Sequence, residues 1–286
     1  MAAGPKKKQE IEMNDLPNNP AVQAGVAPFV VALVAAVMLH RTRLLGLAIG
    51  AGFLTVVFLV LGFSIESMTS VRKMIVSGAA TTLLVLVIEA AKLDAKPAIR
   101  AVLAAAAAAA AIWVIWRVLQ QFETKGLLVA CAGAVIYMAV LVESGNRIGS
   151  DSVRSASAAL MLGLASGVLA LLGASASLAQ VGIAVGASAG AVLLVQMLTG
   201  KHAPTGWTLA LPANVIAGLV GLLVVFTGGL TWYSLIPTLG IPWATRVVPA
   251  GKYPVWLTAF LSALAALVPM LLAVAIAWFT AGSSST

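Results

Sequence analysis

The chain is poor in the groups that catalysis ordinarily uses. It carries nine Asp or Glu, two His and one Cys in 286 residues. No acid occurs anywhere in 152–286, where Arg154, Lys201, Arg246 and Lys252 are the only charged side chains. A single thiol, Cys131, excludes an intrachain disulfide and a cysteine-based metal cluster. There is no GxxxxGK motif followed by Ser or Thr, no HExxH, and no closely spaced acidic pair such as DxxD within a membrane-edge loop. His40 and His202 both border apolar runs, and the sequence places no acid or thiol beside either to complete a metal site. Ser175, Ser177 and Ser188 have no evident His and acid partners for a nucleophile. No cofactor is expected.

What the chain does contain is apolar surface. It is 61% hydrophobic and 9% charged, with mean hydropathy +1.06, whereas soluble domains carry roughly 25% charged residues. A helix crossing a bilayer needs about 20 mostly apolar residues, and uncharged runs cover 155–200, 203–245 and 253–286. The sequence therefore predicts an all-α, polytopic transmembrane helix bundle without a soluble domain. Nine spans are expected, near 22–39, 44–63, 72–91, 98–116, 126–142, 155–173, 178–199, 207–227 and 254–279.

A tenth crossing is possible at 228–248. Gly228, Gly229, Pro237, Pro242, Trp232, Tyr233 and Trp243 suit an interfacial or re-entrant segment there better than a straight helix. Residues 1–20 are polar and rich in Pro and Asn, so a disordered tail is expected, with the transmembrane domain over 21–286. The first apolar run ends in His40-Arg41-Thr42-Arg43 without a small-residue cleavage site, so the first helix is expected to remain in the mature protein.

Nine spans would put nine Lys and Arg on the N-terminal side and eight on the other, a balance that decides little. The cluster Lys6, Lys7 and Lys8 favours a cytoplasmic N-terminus. The Ala, Val and Leu-rich composition suggests the cytoplasmic (inner) membrane of a bacterium. The net charge of +8 is scattered in ones and twos at helix ends, as anchors in anionic headgroups are. The expected partner is thus the lipid bilayer, not nucleic acid.

Glu66, Glu89, Asp94, Glu123, Glu143 and Asp151 all fall at predicted helix ends or in connections. An ionisable group inside a span costs at least about 2.5–3.5 kcal/mol and marks a functional site by default. None is required at the midplane here, which argues against ion coupling through an intramembrane carboxylate. Glu89 follows the apolar run LLVLVI and, with Glu143, is a candidate gating charge at a membrane face. Pairing offers a plainer account: Glu89 with Lys92, Glu143 with Arg147, and Asp151 with Arg154, at i+3 or i+4. The order Lys73, Glu89, Arg100 recurs as Lys125, Glu143, Arg154, which admits a tandem hairpin duplication.

Gly182, Gly186 and Gly190 form a small-residue stripe on the seventh span, and Gly46 with Gly50 and Gly163 with Gly167 repeat the spacing. Such faces let backbones approach closely. They serve either packing within the chain or a homo-oligomer or membrane-complex partner. Ala104 through Ala111 suggest that the fourth span packs in the protein interior, since Ala has little lipid affinity. With charges absent, the candidate substrate-binding residues are Gln196, Asn214 and the helix-interrupting Pro212 and Pro269. Three functions fit: a small permease for an uncharged or weakly polar solute or lipid, a non-catalytic subunit of a membrane complex, or an enzyme acting on a lipid-linked substrate at one membrane face.

Overall fold

The computed structural model describes residues 19–62, 68–93, 96–204, 207–249 and 251–283. Glu66, Asp94, the Lys6–Lys8 cluster and nearly all of the predicted tail lie outside them. The described residues form ten α-helices and no strand. These are α1 (Val22–Leu39), α2 (Arg43–Leu61), α3 (Ser70–Ala90), α4 (Pro97–Leu119), α5 (Thr124–Ile148), α6 (Ser152–Leu172), α7 (Ala176–Thr199), α8 (Trp207–Thr227), α9 (Ile236–Ala244) and α10 (Val255–Ser283). α1 opens and α2 closes with a π-helical turn.

All except α9 are long and apolar enough to cross a bilayer. Helix starts follow local chemistry: Thr69 and Asp151 accept hydrogen bonds from first-turn amides as N-caps of α3 and α6. Pro97 begins α4, where its missing N–H costs nothing.

From α1 to α8, successive helices run antiparallel. The end of the bundle where α1 begins is called here the near end, and the opposite one the far end. α8 is the central helix, with 89% of Leu209–Thr227 buried, among α2 to α7. α6 and α7 form the closest pair. A Cβ added to Gly186 would sit 3.0 Å from the backbone nitrogen of Leu164, and one on Gly167 2.9 Å from that of Ile183. Gly163, Gly167, Gly182 and Gly186 thus serve contact within the chain, and Gly50 likewise faces Thr82 of α3. Gly190 is less constrained, with Leu160 Cδ1 3.5 Å from its notional Cβ.

α4 departs from the sequence expectation. Only 33% of it is buried, and Ala105, Ala106 and Ala109 face outward, so it is peripheral, not interior. Its other face, with Ala107, Ala108 and Ala111, packs into the core. Small side chains permit close packing on one side and do not by themselves require protein on the other.

The segment after α8 also differs from an interfacial or re-entrant one. It begins at the near end, where Gly228 lies against Gly173 and Thr231 is hydrogen-bonded to Thr280, 3.2 Å away at the end of α10. It finishes at the far end, where the carbonyl oxygen of Val248 accepts from Arg154 at the start of α6. Between them, α9 is flanked by 3₁₀ turns, Trp232–Leu235 and Thr245–Val247. A 3₁₀ turn rises about 2.0 Å per residue against about 1.5 Å for an α-helix, so 232–247 reaches about 27 Å, close to the ~30 Å of a hydrocarbon core. This stretched, proline-interrupted segment is a tenth traverse of the bundle. Gly229, at φ +72°, makes the turn into it in a conformation that glycine adopts without strain.

Candidate functional site

The structure places the four residues selected as a polar substrate site in separate helix contacts. Gln196 is buried at the far end of α7, where its Oε1 accepts from Ser152 Oγ at 2.8 Å. Ser152 Oγ also accepts from the backbone N–H of Ala203 at 2.8 Å. Asn214 of α8 lies against Gly145 and donates to the carbonyl oxygen of Leu141 at 3.4 Å. Pro212 is buried within α8, and Pro269 in α10 faces Gly240 of α9. Each residue sits in a different helix contact, and hydrogen bonds absorb part of their polarity. Gln196 Nε2 and Asn146 Nδ2 remain buried without a partner.

Among the described carboxylates, Glu89, Glu143 and Asp151 lie at the far end, and Glu123 at the near end. Glu143 lies 2.9 Å from Arg147 Nε, as its spacing implies, and 3.9 Å from Arg100 Nη1 of α4. α5 extends to Ile148, so Glu143 stands on a helix and not in a loop. Asp151 caps α6, lies 3.4 Å from Arg154 Nε and, less expectedly, 3.5 Å from His202 Nδ1. The sequence placed no acid near His202 because 51 residues separate the pair; antiparallel α6 and α7 bring them together.

Glu89 does not make the anticipated pair with Lys92. Its Oε1 is buried without a hydrogen-bond partner, and Lys92 turns into the left-handed region at φ 49° to end α3. In the first copy of the suggested repeat, Lys73 donates to the carbonyl oxygen of Trp113 at 3.0 Å with its ammonium over that ring. Among the described residues, no cluster of three or more His, Cys, Asp or Glu could hold a metal ion.

A concavity lies elsewhere, between α5, α8 and the tenth traverse in the near-end half. It is a groove of about 900 Å³. Along α5, Gly126, Ala130, Gly133 and Tyr137 recur at helical spacing and lie along it. Leu222 and Phe226 of α8 form one wall, and Trp232 and Ile236 form the other. A Cβ on Gly133 would meet nothing within 4 Å, so the groove is open at that point. Val129, Ile136 and Trp232 are exposed, so it opens sideways from the bundle.

Its inner end is closed by a polar bolt. Tyr137 is 8% exposed, and its hydroxyl lies 3.2 Å from Thr238 Oγ1 of α9. Thr238 already donates to the carbonyl oxygen of Leu235 at 2.6 Å, so Tyr137 is the donor in the shared bond. Lys125 lines the outer end. Sequence reasoning passed over this site. Its one local signal was Tyr137, a polar-tipped aromatic in mid-span, where such residues ordinarily sit at membrane interfaces.

Comparison with known proteins adds no family or structural relative: no family model, curated protein or solved structure matches the chain.

Proposed function

We propose that the protein is a non-catalytic, multi-pass permease that passes a lipid or another weakly polar amphiphile across the cytoplasmic membrane of a bacterium. The observation that carries this reading is the laterally open apolar groove between α5, α8 and the broken tenth traverse. Ligand sites are typically concave, mostly apolar and of about 300–1,000 Å³, with a few placed polar groups. Proline-interrupted helices at membrane depth are tolerated where they line cavities. The Tyr137–Thr238 bolt joins that interrupted segment to a straight helix, so its opening would couple passage to movement of α9. An apolar groove with few polar groups suits such a cargo, in keeping with an acid-free C-terminal half.

Orientation forms part of the proposal. Ten traverses move Arg246 and Lys252 to the far end, giving it ten Lys and Arg against seven at the near end, with Lys6, Lys7 and Lys8 included in the seven. The positive-inside rule then favours a cytoplasmic far end and reverses the N-terminal placement drawn from the lysine cluster alone.

Reconstitution in vesicles with a fluorescently tagged lipid tests the function. With a membrane-impermeant quencher, active protein exposes inner-leaflet label that empty vesicles protect. Gly133→Trp, which fills the groove at its open point, abolishes that exposure. Protection equal to that of empty vesicles with the unaltered protein would sink the permease reading. Glu89→Ala and Glu143→Ala retain transfer; loss in either variant would instead favour chemistry or gating by a face carboxylate.

A further inference from the structure

The groove has a direction and a charge. Lys125, in the first turn of α5, is its outermost lining residue on that helix, and Tyr137 its innermost. Twelve residues separate them, about 18 Å of helix. One leaflet of a ~30 Å hydrocarbon core is about 15 Å deep. An acyl chain lying along Gly126, Ala130 and Gly133 would therefore run from the membrane face to the Tyr137–Thr238 bolt just beyond the midplane.

Chemistry at the outer end favours one sign of headgroup. No acidic side chain lines the groove, and Lys125 is the charged residue that does. No side chain caps the first-turn amides of α5, so the partial positive charge of the helix N-terminus adds to the ammonium. Glu123 precedes the helix and stands outside the groove lining.

We propose that the groove is a binding site for an anionic phospholipid of the near-end leaflet, with an acyl chain along α5 and its phosphate at Lys125. This deepens the permease reading and rests on it for the role of the site, while binding can be measured separately.

The test is native mass spectrometry of the full chain from mild detergent, supplied with phosphatidylglycerol or phosphatidylcholine of matched chains. One phosphatidylglycerol is retained roughly fivefold over phosphatidylcholine, about the effect of one Lys charge at an anionic surface. Lys125→Gln removes the preference, whereas Arg117→Gln, at the same end but outside the groove, leaves it intact. Gly133→Trp removes retention of the single lipid. Equal retention of both lipids by the unaltered protein overturns the proposal, as does a preference that survives Lys125→Gln. So does a graded series of adducts indifferent to Gly133→Trp, the signature of annular lipid only. Retention without transfer in vesicles leaves the site standing and sinks the permease; transfer without selective retention keeps the permease and overturns the site.

Discussion

Arg154, at the start of α6, donates from Nη2 to the carbonyl oxygen of Val248, beyond the end of α9. Val248 is thereby held at the far end, although Gly228, twenty residues earlier, lies against Gly173 at the near end. The intervening chain has to cross the bundle, and both described termini fall on one side.

Cysteine labelling checks this directly. In a Cys131→Ala background, a cysteine introduced at Asn19 and one at Ala281 react with an impermeant maleimide from the same side of sealed vesicles. In the proposed orientation that side lies outside the cytoplasm. Labelling from opposite sides would restore an odd number of crossings.

The α6–α7 contact predicts unequal tolerance among glycines that look equivalent in sequence. Gly167→Leu and Gly186→Leu force backbones apart and lower stability by about 1–3 kcal/mol or more, the usual cost of overpacking. Gly190→Ala, whose added carbon meets only Leu160 at 3.5 Å, stays close to the parent. Unfolding in a denaturing detergent ranks the three, and an equal loss at Gly190 contradicts the assignment.

Asp151 and Glu143 each pair with an arginine, yet their environments differ. The Asp151 side chain is 10% exposed and also caps α6, whereas that of Glu143 is 32% exposed. Asp151→Ala removes the cap, worth about 0.5–2 kcal/mol, and leaves mostly buried Arg154 without its acid. Glu143→Ala costs less than about 1 kcal/mol, as partly solvated pairs do. The same unfolding measurement decides, and comparable losses would show that burial is not what separates the two.

Tyr137 and Thr238 should be strongly non-additive. Thr238→Val strands a buried hydroxyl donor and costs about 1–3 kcal/mol. Adding Tyr137→Phe removes that stranded group, so the double variant is more stable than Thr238→Val alone. A double-mutant cycle showing simple additivity would mean that the hydroxyls are not coupled.

Much of the molecule was legible before folding. The spans were placed within a few residues, except that α5 runs on through Ser144, Gly145 and Asn146. These residues weaken a hydropathy signal without breaking a helix, particularly where neighbours bury them. Pairing of Glu143 with Arg147 and Asp151 with Arg154 could be read because helical neighbours lie on one turn. Glu89 failed the same rule because Lys92 leaves the helix in a left-handed turn.

By itself the sequence determined the fold class. Hydropathy is a local sum, so uninterrupted apolar runs commit the chain to lipid whatever their neighbours. Only the tertiary structure decided that 228–248 crosses, that α8 is central while α4 is peripheral, and that Tyr137 meets Thr238 at the floor of a groove. Those outcomes depend on which helices touch. In lipid, where every span is apolar, that choice is made by small-residue fit and by isolated polar contacts between residues far apart in the chain.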